Sequence, residues 1–445
     1  MDINTLKAII IEGQELLSEV KPVPRAMTLE PNGRYVFVGI RQAGKSYMLY
    51  LRALQLISEG HDLKKMLFVN FDDERLMNMT ADDLDSILQA YGSLYDKRPI
   101  LFLDEIQNVE GWEHFARRLA NQKYMVYITG SNAKMLSKDI ATRLGARYIE
   151  QRVFPYSFKE YLLANGCEVD NNWYFGKKST EVNRLLGQYF QWGGFPESLL
   201  YVNKRHWLNE LYEKIILGDI IQRNRIKNEQ SMRMAIKRLA ENIKTPTSFN
   251  RLAAMVKATG HSTNVASVID YVTYCEEACL LFSVENYASK FVERNTVKKH
   301  YFVDNGLLNI FLTDSDTALM ENICAITLYR NWSGSEENTF YYYNKEVELD
   351  FYIPAIGKGI QVCYNLQNPA TLEREVKALT TFHRLYGLKE AEIVTYSEED
   401  TIETSGLVIK VTPLSKWLLG EELVGGGGEV GPVVAGGDEV AVGVD

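Results

Sequence analysis

The chain has 445 residues, 46% of them hydrophobic and 24% charged, which excludes general disorder and allows several buried cores. Its formal charge of −9 is concentrated at the end: residues 421–445 hold six acids and no Lys or Arg, leaving −3 for the rest. A near-neutral body does not exclude a nucleic-acid partner, which needs only a local basic surface.

Residues 5–20 carry apolar positions at helical spacing, and Lys21-Pro22-Val23-Pro24 stops that helix. A strand at 35–38, a glycine-rich turn and a helix from Lys45 to Ser58 follow. Apolar runs at 67–71, 100–103 and 125–129 alternate with a helix at 82–91. Short buried runs between helices predict a parallel sheet covered on both faces, an α/β domain over residues 1–155. Residues 156–230 turn helical and aromatic, with a breaker at Trp192-Gly193-Gly194-Phe195-Pro196. Residues 231–300 have the order of a winged helix-turn-helix: helix 249–257, a turn, a second helix capped by Ser262, and two wing strands near 280–284 and 298–303. Residues 301–420 predict a second mixed α/β domain, and 421–445 a flexible low-complexity tail. The five scattered cysteines (Cys167, Cys275, Cys279, Cys324, Cys363) are expected as reduced thiols. Cys275 and Cys279 belong to one helix face rather than to a zinc site. No apolar run approaches the ~20 residues of a membrane span and the start lacks signal-peptide order, so a cytoplasmic location is expected.

Gly39-Ile40-Arg41-Gln42-Ala43-Gly44-Lys45-Ser46 fits G-x-x-x-x-G-K-[ST] between a strand and a helix, the context a phosphate-binding loop requires. Backbone N–H groups and the helix's positive end would cradle phosphate along 39–47, through Tyr47. Lys45 would sit on the β/γ-phosphates and the Ser46 hydroxyl on Mg²⁺. The strand at 100–103 delivers Asp104 and Glu105 where it leaves the core. Asp104 is the second metal-ordering acid and Glu105 the base that polarises water; two acids in tandem argue for hydrolysis. At the end of the next strand Ser131 and Asn132, with Thr129 behind them, are candidates to sense the terminal phosphate.

With these elements in order, the chain resembles P-loop ATPases of the AAA+ class. More closely, it is similar to bacterial and archaeal ATPases whose C-terminal domain of unknown function is related to restriction-endonuclease folds. The stretches carrying the resemblance include Asn70-Phe71-Asp72-Asp73-Glu74-Arg75, Leu103-Asp104-Glu105-Ile106-Gln107, Gly193-Gly194-Phe195-Pro196, Asp219-Ile220-Ile221 and Phe302-Val303-Asp304-Asn305-Gly306-Leu307. The resemblance implies ATP as the nucleotide. It also implies an arginine acting from a second copy of the chain, with Arg147, or Arg143 one turn earlier, in that position. The winged helix serves either DNA binding or domain packing. Its second helix offers uncharged Ser262, Thr263, Asn264 and Ser267, while basic residues lie around it (Arg225, Lys227, Arg233, Lys237, Arg238, Lys244, Arg251, Lys257, Lys290, Lys298, Lys299). A nuclease centre needs two acids and a lysine around a metal. Glu321, expected at a helix start, and Asp350 are present, but Gln361-Val362-Cys363 lacks the second strand acid and the lysine. The expected activity is Mg²⁺-dependent ATP hydrolysis driving a conformational switch toward DNA or a protein; the alternatives are a DNA-binding regulator that uses ATP without turnover, and a nuclease.

Overall fold

Asp2 opens the first helix, Ile3–Glu19: its carboxylate accepts from the Thr5 N–H at 3.0 Å, and Leu6, Ile9, Ile10 and Leu17 form a buried stripe. The computed structural model describes residues 1–27, 29–130, 144–332, 339–404 and 406–424. That helix packs on helix Leu84–Leu94 and on the edge of a five-stranded sheet. The sheet joins β1 (Tyr35–Val38), β2 (Met66–Asn70), β3 (Ile100–Asp104), β4 (Val126–Gly130) and β5 (Ile149–Arg152) in the order β2-β3-β4-β1-β5, all parallel. Alternation along the strands feeds two cores. Phe37 and Phe102 face one, and Val36, Val38, Leu101 and Leu103 face the other. β5 is an addition to the strands the sequence predicts. Its Ile-Glu-Gln-Arg is mostly exposed at the sheet edge and has no apolar run to reveal it.

Residues 158–241 are helical: Phe158–Ala164, Gly176–Trp192, Lys204–Lys214 and Glu229–Glu241, with a π-helix, Ile215–Gln222, running on from the third. β6 (Thr247–Ser248), β7 (Leu281–Glu285) and β8 (Val297–Phe302) make an antiparallel sheet in the order β6-β8-β7. Helices Phe249–Lys257 and Val265–Glu277 lie between β6 and β7. The sequence predicts a cap at Ser262; in the structure Asn264 caps, accepting from the Ser267 N–H at 2.8 Å, while the Ser262 carbonyl is held by Asn228 and Ser231. A third sheet of β9 (Tyr341–Asn344), β10 (Glu348–Ile353), β11 (Lys358–Val362), β12 (Glu390–Thr395), β13 (Asp400–Thr404) and β14 (Leu407–Pro413) has the order β13-β14-β12-β11-β10-β9. The last helix, Leu414–Val424, runs past residue 420, where the sequence places the tail; residues 425–445 lie outside the described residues.

The helix Asp316–Trp332 lies inside the molecule, buried from Leu319 to Leu328. Asp304 supports the Gly-Gly-Phe-Pro breaker from below, accepting from the Gly194 N–H at 2.7 Å and the Gly306 N–H at 2.8 Å. Arg25 binds Glu160 (3.1 Å), which also faces Arg330 (3.7 Å), so the segment after the first helix, the helical region and the buried helix meet on one carboxylate.

Glu321 lies in the second turn of its helix rather than at its start. The lysine that the Gln361-Val362-Cys363 stretch lacks comes from β8 instead. Lys299, fully buried, reaches Glu321 at 3.0 Å, Glu348 at 3.4 Å and Asp350 at 3.6 Å, and the Tyr301 hydroxyl donates to Glu321 at 2.7 Å. Burial opposes the Lys299 charge, but Glu321, Asp350 and Glu348 outweigh it and raise its pKa; burial and Glu321 raise that of Asp350. Lys299→Met leaves these acids without a counter-charge, an expected loss of about 3–5 kcal/mol at pH 8. Without the lysine the Asp350 pKa, already raised by burial and Glu321, rises further above its unfolded value, so the variant's stability falls as pH rises. Urea midpoints at pH 5 and pH 8 check it: the deficit is smaller at pH 5.

Candidate functional site

The glycine-rich loop leaves β1 at the carboxyl edge of the parallel sheet and enters helix Lys45–Ser58 through Gly44. Gly44 has φ +92°, a left-handed conformation natural to glycine. Gly39 is required for another reason: a Cβ there would lie 2.1 Å from the Val153 carbonyl oxygen. Lys45 is buried, its ammonium donating to the Gly39 and Ile40 carbonyls at 3.2 and 3.1 Å. Burial pushes its pKa down, with Glu105 and Asp104 pulling the other way.

The neighbouring strand ends complete the arrangement. Thr129, at the end of β4, donates its hydroxyl proton to Asp104, and the same oxygen accepts from the Glu105 N–H at 3.0 Å. Ser46 lies beside Asp104 and acts to lower its pKa. Burial raises the Asp104 pKa to about 6, against the lowering effect of Thr129 and Ser46. Asp104 ionisation therefore costs stability as pH rises from the ordinary 3.8 through that value. Glu105 has φ +52°, a left-handed conformation that costs an L-residue about 1–3 kcal/mol and recurs at functional positions. The Gln107 amide donates to its carboxylate.

Arg41, Gln42, Gly44, Lys45, Ser46, Tyr47 and Glu105 line one cavity of about 700 Å³. Ile40 and Ala43 are buried beneath it, and Asp104 sits behind Ser46. Arg147 is elsewhere: it is exposed and donates to the Gly145 carbonyl of its own turn at 3.3 Å. Ser131, Asn132 and Arg143 lie outside the described residues.

The cavity also includes residues that sequence reasoning missed. Pro22 and Val23, predicted only to stop a helix, form an apolar wall with Tyr156, Pro196 and Leu200. Arg25 supports the loop from beneath, donating to the Ala43 carbonyl at 3.1 Å and the Phe154 carbonyl at 2.7 Å. Asn108 ties the cavity to the end of β2 by donating to Asp72 and, at 3.2 Å, to the Phe71 carbonyl. The one sequence signal for them was that Phe71-Asp72, Gln107 and Pro196 fall in stretches carrying the family resemblance.

The basic residues around the second sheet divide into two groups. Arg233 pairs with Glu213 and Glu229, Arg238 with Glu241 and Lys298 with Glu285, Lys244 donates to Thr317, and Lys299 is buried. Arg225, Lys227, Lys237, Arg251, Lys257 and Lys290 stay exposed.

Residues 32–162, which carry the parallel sheet with a glycine-rich loop on its first strand and an acid pair at the end of β3, match the AAA domain family. Residues 183–318 match a domain of unknown function, DUF8612. The chain is 31% identical over 425 residues to an uncharacterized protein of Methanocaldococcus jannaschii, covering 92% of this chain and 94% of that one, and belongs to the same family. An uncharacterized protein of Haemophilus influenzae is 28% identical over 279 residues, 61% of this chain and 67% of that one. A Walker-type ATPase of Pyrococcus abyssi overlays with a TM-score of 0.41 at 13% identity, over 70% of this chain and 95% of that structure, a likeness too distant to bear on function.

Thr129→Val removes a donor from Asp104 and the acceptor Thr129 offers the Glu105 N–H, an expected destabilisation of about 1–3 kcal/mol. The Asp104 carboxyl then titrates above its parent midpoint of about 6, because a hydrogen bond that lowered it is gone. Carboxyl NMR titration reads the shift, and Thr129→Ser keeps the parent value.

Proposed function

We propose that this protein binds ATP in the cavity beside the glycine-rich loop and hydrolyses it. The observation that carries this reading is the gathering of Lys45, Ser46, Asp104 and Glu105 at one edge of the sheet, three of them lining a single cavity with Asp104 behind Ser46. The apolar wall of Pro22, Val23, Tyr156, Pro196 and Leu200 suits a flat base, and the loop's N–H groups suit phosphates.

The donors fit Mg²⁺. Ser46 and Asp104 offer hard oxygens, and Gln107 Oε1 is buried without a partner at the same cavity. Among the described residues no three His, Cys, Asp or Glu side chains gather to hold a metal, so phosphate oxygens and water would supply its other ligands. The bound ion would offset charge on the β- and γ-phosphates. Lys45, released from the Gly39 and Ile40 carbonyls, would add its charge to the same oxygens. Glu105, steadied by Gln107, would take a proton from the water as its oxygen bonds to the γ-phosphorus and the bond to the bridging oxygen breaks.

We read residues 229–302 as a winged helix, on the order helix, β6, two helices, β7, β8 and the antiparallel β6-β8-β7 sheet. The six exposed cations around it support a weak, salt-dependent contact with duplex DNA. We place no nuclease step at Glu321 and Asp350: both acids are paired to Lys299, and among the described residues no three His, Cys, Asp or Glu side chains gather to hold the metal such a step needs. The exposure of Arg147, away from its own cavity, supports action on the site of a second copy.

Lys45→Ala is expected to abolish tight ATP binding. Glu105→Gln retains binding while turnover falls about 10²-fold or more, trapping ATP. Phosphate release and nucleotide retention check both, and unchanged turnover in both variants would refute the assignment. Turnover per chain should rise with protein concentration and drop in Arg147→Ala with binding intact; a concentration-independent rate unaffected by the substitution removes Arg147 from the site.

A further inference from the structure

The third residue of the phosphate-binding loop points away from the loop's own backbone. Arg41 Nε and Nη2 donate to the two carboxylate oxygens of Asp219 at 2.9 and 2.8 Å. This is the bidentate geometry a guanidinium makes with a carboxylate, and it makes the same with a phosphate. Asp219 belongs to the π-helix Ile215–Gln222. Such wide turns are rare and recur at functional sites, because they re-aim a side chain. Here Ile215, Ile216, Ile220 and Ile221 go into the core and Asp219 meets the loop.

Arg41 is not withdrawn from the cavity. It lines the same wall as Lys45, Ser46 and Glu105, and its charge is favoured by Asp219 and, more weakly, by Glu105 and Asp72. Its side chain is 40% exposed, so the guanidinium is free to exchange partners. Asp219 is 13% exposed and would be left as a nearby anion if Arg41 moved.

We propose that Arg41 distinguishes ATP from ADP: it leaves Asp219 for the terminal phosphate, so occupancy by triphosphate alone unlatches the π-helix. This rests on the nucleotide reading above. ADP lacks the third phosphate that competes with the Asp219 carboxylate, so the latch stays closed. The π-helix thereby senses which nucleotide is bound through a single ion pair.

The test titrates full-length protein with Mg-ADP and with Mg and a non-hydrolysable ATP analogue. Asp219→Asn, which removes the competing charge, should tighten the analogue several-fold and leave ADP within about twofold. Arg41→Ala should erase about tenfold or more of the analogue-over-ADP preference, the scale of one charge-assisted hydrogen bond. Arg41→Lys should restore part of it, which a misfolded loop would not do. Asp219→Asn in the Arg41→Ala background should have no further effect on the preference. Amide exchange over residues 215–222 supplies an independent readout: in the parent it accelerates with the analogue and not with ADP, and in Asp219→Asn it is fast throughout. An unchanged preference in Arg41→Ala, or an equal change for both nucleotides in Asp219→Asn, overturns the proposal while leaving nucleotide binding in place. A parent protein that binds neither nucleotide overturns both.

Discussion

A single buried hydroxyl holds the centre of this site. Thr129 bonds the Asp104 carboxylate with its proton and the Glu105 N–H with its oxygen, linking the last residue of β3 and the acid that follows it to the strand beside them. The parallel register makes this contact available: Phe37, Thr129 and Asp104 come to the carboxyl edge of β1, β4 and β3 together. Glu105 is held in a backbone conformation that L-residues disfavour, and this hydrogen bond is part of what secures it.

The loop itself is supported by residues from three other parts of the chain. Arg25 holds the Ala43 carbonyl, the Val153 carbonyl crosses Gly39, and Asp219 holds Arg41. Arg25 also shares Glu160 with Arg330 of the buried helix. Two cations overcome burial there and keep the Glu160 pKa below its ordinary value. The nucleotide loop is thus framed by the helical region as well as by its own sheet.

The central site was legible in the sequence because its chemistry is local: a loop of fixed spacing, and two acids following four apolar residues. The strands β1 to β4 were legible for the same reason, as continuous apolar runs. β5 escaped because an exposed edge strand has no hydrophobic signature. Arg25, Pro22 and Val23 were invisible as cavity residues, since their roles depend on how the chain folds back across the loop. The π-helix gave no sign either, because Ile215–Gln222 has the apolar content of any buried helix. The lysine among Glu321, Glu348 and Asp350 was sought beside Gln361-Val362-Cys363; it came from β8, far away in the chain, whose Lys299 reaches all three acids.

One apolar core runs from Leu17 and Phe37 through Phe190, Ile220, Met320 and Ile323 to Trp417 and Leu418. It ignores every boundary that composition draws along the sequence. Excising the first 155 residues would strip a large greasy flank of its cover, and such a fragment would clump rather than dissolve. The chain must be handled whole, its last helix packed on the helices Phe158–Ala164, Gly176–Trp192 and Asp316–Trp332.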